Sequence, residues 1–288
     1  MTAMTIKNNK KINETVIGAL GYTILKKSQI KIMLISDMHN VNEKCGDTYI
    51  SDWLKKQQNI KLLLEEIPIS KDFDSKFKQL FPSAPHTKKL RDLYENNFDK
   101  IVGIDIRGEL IPFSWELLDT IDDTIHITPI SLEDYLYDLN RFFELSHPFF
   151  IDKLGKIYKQ SIIKDPRSNI RVHFNTCKRK FEKFKKDNKE YLKVNIQDLF
   201  NKNLEIFEEI NNILCDCMEL YTIMELYTQG LKGTRRFIIH AGLVHTSNLK
   251  KLFTDIYKFK IINNSGLTNF DEVDSISHNG CNNISSNF

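Results

Sequence analysis

The sequence predicts an α/β fold of three layers, in which a mostly parallel sheet carries a large helical insertion. Three short apolar segments, at 30–35, 60–68 and 100–108, alternate with amphipathic segments. A long stretch of helical periodicity and one more apolar segment, at 236–241, follow them. Alternation of short apolar runs with helical patterns is typical of parallel strands that are joined by crossover helices.

The first three strands are predicted from continuous apolar runs, which are typical of strands buried on both faces. Segment 30–35 is apolar except for Lys31, and Pro68 ends the second run. Between the strands, Asp47 is a good N-cap for a first helix, and 86–98 has the apolar face of a second. This order predicts right-handed crossovers in one sheet.

Each of these three strands ends in charged or ionisable residues. They are Asp37 and His39, then Glu65 and Glu66, then Asp105 and Arg107. In open parallel sheets, the ligand crevice lies at the carboxyl ends of the strands. The sequence therefore predicts a functional site at this edge, although Asp105 and Arg107 can also pair with each other across a turn.

The chain divides into five predicted parts. They are an N-terminal edge segment (1–29), the first part of the α/β core (30–130), a helical insertion or cap (131–230), the last strand and helix of the core (231–265), and a tail (266–288). Gly230 and Gly233 are expected to end the helical part. The tail is rich in Asn and Ser and has no apolar period, so we expect it to be disordered or loosely packed.

Composition indicates an ordinary globular protein and disfavours several functions. The net charge of +3 gives no clear nucleic-acid signal, and no segment reaches the roughly 18 apolar residues of a membrane span. The five cysteines have no metal-binding spacing, which predicts free thiols and a cytoplasmic location. The abundance of Lys, Asn, Ile and Phe is typical of an AT-rich genome.

The segment SDMHN (36–40) also fits the first motif of the calcineurin-like metallophosphatases, in which Asp-x-His follows a strand. A two-metal site needs further His and Asn ligands from later motifs. Gly46-Asp47 follows too soon for a crossover, no Gly-Asn-His is present, and GLVH (242–245) is not Gly-His-x-His. The sequence therefore disfavours a metallophosphatase.

Four motifs, in order, resemble those of the Tiki/TraB/ChaN/erythromycin-esterase superfamily. They are SDMH (36–39), LLLEE (62–66), GIDIR (103–107) and GLVH (242–245), each at the end of a predicted strand. Ser36 stands where the superfamily has a glycine, whereas Gly242 matches the late Gly-x-x-His. The layout is also similar to proteins of large DNA viruses, which would place the chain in a host cytoplasm or a virion.

The resemblance implies a hydrolase that cleaves an ester or peptide bond in a small-molecule or peptide substrate. It implies His39 as general base or metal ligand, Glu65 as its carboxylate partner and His245 as the second imidazole. Arg107 would hold the substrate or an oxyanion. The expected supporting residues are Ser36, Asp37, Glu66, Asp105 and Gly242.

Two kinds of chemistry stay open. His39, Glu65 and His245 can hold a divalent metal such as Mn, Co or Zn, with a position left for water. Alternatively, a histidine can act as general base while Arg107 holds an anionic group. Two non-catalytic roles also stay open, namely ligand binding of the haem type that ChaN-like members imply, and a degenerate interaction protein in which Ser36 marks lost activity.

The late histidines have different expected roles. His240 lies inside the predicted strand and faces away from His245, so we expect it to be buried and hydrogen-bonded. His245 follows Gly242, which is expected to let the backbone turn sharply into a helix capped by Thr246 or Ser247. The positive end of that helix predicts a neutral imidazole. The helical insertion is expected to cover the crevice as a lid.

Overall fold

The computed structural model describes residues 13–38, 45–46, 48–69, 85–95, 97, 99–120, 129–157, 168–275, 280–285 and 288. The strands are β1 (Asn13–Ile17), β2 (Gly21–Lys27), β3 (Ile30–Asp37), β4 (Thr48–Tyr49), β5 (Lys61–Pro68), β6 (Ile101–Asp105), β7 (Arg236–Gly242), β8 (Lys260–Gly266) and β9 (Cys281–Ser285). The helices are α1 (Ile50–Lys56), α2 (Pro85–Glu95), α3 (Arg107–Leu110), α4 (Leu132–Tyr135), α5 (Tyr137–Phe143), α6 (Pro148–Ile157), α7 (Asn169–Asp187), α8 (Ile196–Phe200), α9 (Leu204–Leu231) and α10 (Leu243–Asp255).

The fold is α/β, with a six-stranded sheet in the order β6-β5-β7-β3-β2-β8 and a smaller second sheet. Strands β6, β5, β7 and β3 are parallel, whereas β2 is antiparallel to both β3 and β8. The prediction that four apolar segments form parallel strands of one sheet is therefore confirmed. Because β7 lies between β5 and β3, the late strand brings its carboxyl end next to theirs.

The central strands are buried on both faces, as their continuous apolar sequences predict. In β3 and β7, Leu34 and Ile239 belong to one apolar cluster, whereas Ile35 and Ile238 belong to another. Since successive strand residues point to opposite faces, the two clusters lie on opposite sides of the sheet. Helices α7 and α9 contribute to the first cluster, and α1 and α2 to the second.

The N-terminal part differs from the predicted edge segment. Strand β2 lies inside the sheet between β3 and β8, and its residues Gly21–Leu25 are buried. Strand β8 takes the outer position next to it, and most of its residues are exposed. Residues 1–12 and Asp47, the predicted N-cap, lie outside the described part. Helix α1 begins at Ile50, without a side-chain cap from Tyr49.

The helical insertion is built around α7 and α9. Helix α7 buries Phe174, Phe181 and Phe184 and exposes Lys183, so its basic sequence is the polar face of an amphipathic helix. Helix α9 has 28 residues, and Gly233, with φ of 94°, follows its C-cap Lys232, as expected of a glycine after a helix. Gly230 lies inside the helix, so the expectation that it helps to end the helical part is wrong. None of the described helices is long and apolar enough to cross a membrane.

The predicted tail contains an ordered strand. Strand β9 pairs with β1, which also pairs with β4, and these three strands form the second sheet. Asn282 Nδ2 donates a hydrogen bond to Leu20 O at 2.9 Å. The expectation of a disordered or loosely packed tail is therefore wrong for Cys281–Ser285, because backbone pairing with a distant strand replaces the apolar periodicity that the tail lacks.

Two of the five cysteines are bonded to each other. Cys45 and Cys281 form a disulfide whose Cα atoms are 6.0 Å apart. The prediction of five free thiols is wrong for this pair, because the pairing of β9 with β1 brings together residues whose sequence separation is 236. Cys177, Cys215 and Cys217 are free thiols.

Candidate functional site

The residues predicted from strand ends meet at the carboxyl edge of the sheet. Glu65 lies in β5, directly after the last residue of that strand that pairs with β7, and His245 lies in the first turn of α10, which follows β7. Leu64 and His240 are paired in the register of these two parallel strands, so Glu65 reaches the edge beside the end of β7. The parallel sheet thus brings together side chains that are distant in the sequence.

The carboxylate of Glu65 is at the centre of the described contacts. It is buried, and its Oε2 accepts a hydrogen bond from the backbone N–H of Gly242 at 2.5 Å. Its Oε1 lies 3.4 Å from His245 Nε2 and 3.7 Å from Arg107 Nη2. One carboxylate therefore faces two basic side chains and one backbone donor.

Arg107 is held in place by Asp105. Its Nε and Nη2 donate to the two carboxylate oxygens of Asp105 at 2.8 and 2.5 Å. Such a bidentate pair fixes the guanidinium plane. Asp105 is buried, whereas the side chain of Arg107 is 21% exposed. Arg107 begins the short helix α3 rather than extending β6, so the predicted pairing of the two residues across a turn is confirmed.

His245 lies between two carboxylates and beside a thiol. Its Nε2 faces Glu65 and lies 3.9 Å from Cys215 Sγ. Its buried Nδ1 lies 3.5 Å from Glu219 Oε1, and no described residue forms a well-aligned hydrogen bond with it. Asn248 Nδ2 donates to the same Glu219 oxygen at 2.8 Å. Both ring nitrogens therefore face anionic or polarisable groups.

The charge state of His245 differs from the sequence prediction. Burial by itself lowers the pKa of His245, but Glu65, Cys215 and Glu219 oppose that effect and raise the pKa well above its usual value. The expectation of a neutral ring is therefore wrong. The positive end of a helix disfavours a nearby cation by about 0.3–1 kcal/mol. Carboxylates within 4 Å of a buried imidazolium stabilise its charge by more than that.

The start of α10 also differs from the prediction in two details. The helix begins at Leu243, with Gly242 as its N-cap, and His245 lies inside the first turn. Gly242 has φ of −52°, which any residue can adopt, so the backbone conformation of the turn does not require glycine. Thr246 is not the N-cap, and its hydroxyl donates to Ser36 Oγ at 2.9 Å.

The remaining predicted residues have different outcomes. Asp37 is buried at the end of β3, where it is paired in register with Gly242. His240 is buried, and its Nε2 donates to Gly18 O at 2.8 Å, which confirms the expected structural role. His39 and the side chain of Glu66 lie outside the described residues.

The predicted metal set is incomplete within the described residues. Among them, no three His, Cys, Asp or Glu side chains are grouped closely enough to hold a metal ion. Glu65 Oε1 and His245 Nε2 face each other and can supply two ligands. Imidazole nitrogen and carboxylate oxygen suit zinc, manganese or cobalt. The third predicted ligand, His39, falls outside the described part, so metal binding stays a prediction.

Two site residues were missed by the sequence analysis. Cys215 and Glu219 lie on α9, and both contact the ring of His245. They are four positions apart, which places them on one face of a helix. The spacing of four residues can be read from the sequence and indicates that the two side chains share a helix face. It does not indicate that this face packs against the strand ends. The helical insertion thus reaches the site, while its function as a lid stays a prediction.

No protein-family model, curated protein or solved structure matches this chain. The class that fold and site define is therefore an α/β protein with a buried Glu-His-Arg cluster at the carboxyl edge of its sheet. The resemblance to the Tiki/TraB/ChaN/erythromycin-esterase superfamily stays a prediction.

Proposed function

We propose that this protein is a hydrolase of ester or peptide bonds, with Glu65, His245 and Arg107 at its reaction centre. One observation carries the proposal. The Oε1 atom of Glu65 lies 3.4 Å from His245 Nε2 and 3.7 Å from Arg107 Nη2, and the three residues come from three separate segments. Together they provide a base, an acid and a fixed positive charge, which acyl-bond hydrolysis requires.

In the proposed reaction, Glu65 accepts a proton from a water molecule whose oxygen attacks the carbonyl carbon. The positive charge of Arg107, held by Asp105, stabilises the negative charge that develops on the carbonyl oxygen. His245, whose raised pKa keeps it protonated, donates its Nε2 proton to the leaving oxygen or nitrogen as the bond breaks. Transfer of the proton from Glu65 to His245 then restores both groups.

Glu219 and Asn248 are positioning residues in this proposal. Glu219 faces Nδ1 of His245, and Asn248 donates to the Glu219 oxygen that faces the ring. A carboxylate at Nδ1 holds an imidazole in one orientation and stabilises its charged form. Loss of Glu219 is therefore expected to lower activity less than loss of Glu65, because Glu219 acts through His245.

A metal-assisted route is the second form of the same proposal. Glu65 and His245 would be two ligands, and His39 would be the third. A bound metal would supply an activated water at neutral pH. The two apolar clusters on opposite sides of the sheet support the predicted three-layer arrangement.

Hydrolysis of a panel of chromogenic esters and peptides by the purified full chain tests the proposal. Assays in buffer with EDTA and with added Mn²⁺, Co²⁺ or Zn²⁺ separate the two routes, because the metal-free route keeps its rate in EDTA. The variants Glu65→Gln and His245→Gln are expected to lower kcat/KM by about 10²-fold or more, since each removes a group that transfers a proton.

The matched control is His240→Gln. His240 is also a buried histidine, but it lies within β7, and its Nε2 donates a hydrogen bond to the backbone of Gly18. The His240→Gln variant is expected to be less stable than the parent and to have a kcat/KM within about threefold of the parent value. Equal rates for the parent, Glu65→Gln and His245→Gln would contradict the proposal, and so would a parent with no turnover of any substrate with or without metal.

A further inference from the structure

A concave region lies at the amino edge of the sheet, opposite the Glu-His-Arg cluster. It is a cavity of about 460 Å³ beside the first residues of β3 and the start of β7. This volume is within the range of roughly 300–1,000 Å³ that small-molecule sites have. Its walls are mainly apolar, and they include Ile32, Ile170, Ile223, Leu226, Phe237 and Phe253.

Polar groups at this cavity favour an anion. Lys27 and Arg235 line it, and no acidic residue does so among those that the structure describes. Ser168, the N-cap of the 19-residue helix α7, also lines it and makes no side-chain capping bond. Unsatisfied donors at a helix N-terminus attract negative charge.

A basic groove adjoins the cavity and shares Arg235 with it. Its volume is about 870 Å³, and its cationic lining residues are Lys55, Lys61, Lys100, Lys232, Arg235 and Arg236. Among the described residues, Asp99 is the one acidic side chain that lines it. Three of these cations donate to backbone carbonyl oxygens, Lys61 to Asp99, Lys100 to Gln57 and Arg235 to Gly230. A bound anion would offset the mutual repulsion of the six charges.

The charge of Lys232 acts on one neighbouring lysine. Burial, followed by the charge of Lys232, lowers the pKa of Lys61, whereas burial alone lowers the pKa of Lys100. Lys232 itself is exposed, and its Nζ makes no hydrogen bond or ion pair with another described residue. An anionic ligand would therefore meet at least one cation whose donors are available.

We propose that the cavity and the groove form one binding site for an amphipathic anion, whose apolar chain fills the cavity and whose phosphate-type head lies in the groove. Charge complementarity selects the head, because six cations face one carboxylate and a phosphate carries more charge and more acceptor oxygens than a carboxylate. Apolar burial selects the chain, at about 25 cal/mol per Å² removed from water.

Isothermal titration calorimetry of the full chain with dodecyl phosphate, below its micelle concentration, tests this site. Dodecyl maltoside has the same chain with an uncharged head, and sodium phosphate has the head without the chain. Dodecyl phosphate is expected to bind about tenfold more tightly than either, which corresponds to about 1.4 kcal/mol. Its affinity is expected to fall as salt rises, since exposed charges are screened.

Two variants test the two halves of the site. Gly230 lines the cavity within α9, and a Cβ added there meets no heavy atom within 4 Å. Gly230→Leu therefore starts from an unobstructed Cβ, extends a side chain into the cavity, and removes a weak helix former. Gly230→Ala is its matched control, because it makes the same helix change with little added volume. Lys232→Gln combined with Arg235→Gln removes two charges of the groove, and Lys183→Gln is the exposed-lysine control.

Gly230→Leu and the double charge variant are each expected to weaken dodecyl phosphate binding by about tenfold, while both controls leave it unchanged. The proposal is overturned if dodecyl phosphate produces no binding, if dodecyl maltoside binds as tightly, or if Gly230→Leu binds like Gly230→Ala. Because the site is at the opposite edge from Glu65, these outcomes are independent of hydrolysis.

Sedimentation with lipid vesicles identifies the source of the head group. Vesicles of phosphatidylcholine with phosphatidylglycerol are compared with vesicles of phosphatidylcholine alone. If the parent sediments with the anionic vesicles and Gly230→Leu does not, the ligand is a membrane lipid. A protein that stays in the supernatant while binding dodecyl phosphate would identify a freely dissolved amphiphile.

Discussion

Glu65 Oε1 lies 3.4 Å from His245 Nε2, and both side chains are almost completely buried. Burial by itself disfavours the charged form of each group, but the attraction between the carboxylate and the imidazolium stabilises both charged forms. Neighbouring parallel strands make this contact possible, because β5 and β7 end at the same edge. The pair therefore links the fold to the proposed chemistry, and its energetics can be measured without a substrate.

The first prediction concerns the coupling of this pair. Glu65→Gln is expected to lower the free energy of unfolding by about 3–5 kcal/mol, because it leaves a buried charge on His245 without its partner. His245→Gln is expected to destabilise for the converse reason. The double variant is expected to lose less unfolding free energy than the two single variants lose together. Urea denaturation of the parent, both single variants and the double variant measures these losses. Strictly additive losses would show that the two side chains are not coupled.

Much of the sheet could be predicted from the sequence, because short apolar runs ending in polar residues carry a strong signal. Glu65 and His245 were found in this way, since a parallel sheet brings strand ends together wherever they lie in the chain. The partners on α9 could not be predicted. Cys215 and Glu219 share a helix face by their spacing, but their contact with His245 depends on how α9 packs against α10.

The errors have physical causes that a local pattern does not contain. His245 was expected to be neutral because the helix end is visible in the sequence, whereas the packing that brings Glu219 to its ring is not. The tail was expected to be disordered because it lacks apolar periodicity. Strand β9 is instead ordered by backbone pairing with β1 and by the disulfide between Cys45 and Cys281.

The second prediction concerns pH. Because the pKa of His245 is raised above its ordinary value of 6.5, the stabilisation due to its charged form is full below about pH 6.5 and is lost as the pH rises through the raised pKa. The difference in unfolding free energy between the parent and His245→Gln is therefore expected to shrink at alkaline pH. Urea denaturation across a pH series measures this difference.

His173 provides the control with the opposite sign. Burial lowers the pKa of this histidine, so the folded state holds it neutral and loses stability as the pH falls through the ordinary range of histidine. The variant His173→Gln is expected to lessen the acid sensitivity of the parent and to leave the alkaline side unchanged. A pH profile of His245→Gln that runs parallel to the parent's profile would contradict the assigned charge of His245.

The third prediction concerns the disulfide between Cys45 and Cys281. Its reduction is expected to lower the free energy of unfolding by about 2–4 kcal/mol, because the bond restricts the unfolded chain over a long loop. Urea denaturation with and without a phosphine reductant measures the effect. Cys45→Ser is the control, since it lacks the bond and should be insensitive to the reductant. A parent that is equally stable with and without reductant would mean that the bond contributes nothing.

The last prediction concerns the reactivity of Cys215. Its thiol is partly exposed and lies 3.9 Å from Nε2 of His245, which the surrounding carboxylates keep protonated. Reactive cysteines are found in such partly exposed positions beside a cation. Cys177 and Cys217 are buried, and burial raises the pKa of both thiols. Iodoacetamide is therefore expected to modify Cys215 first in the native protein.

Mass spectrometry of peptides after timed alkylation measures the three rates separately, and denatured protein provides the reference in which all three thiols react alike. His245→Gln is expected to slow the reaction of Cys215 by about tenfold, because it removes the adjacent positive charge. Equal labelling of Cys177 and Cys215 in the native protein would contradict the described packing of α9. If His245→Gln leaves the alkylation rate of Cys215 unchanged, the charge of His245 does not affect the reactivity of this thiol.

Alkylation of Cys215 also bears on the proposed reaction. If the alkylated parent loses hydrolytic turnover while Cys215→Ser retains it, the added group blocks the space beside His245 Nε2, where the proposed leaving group takes its proton.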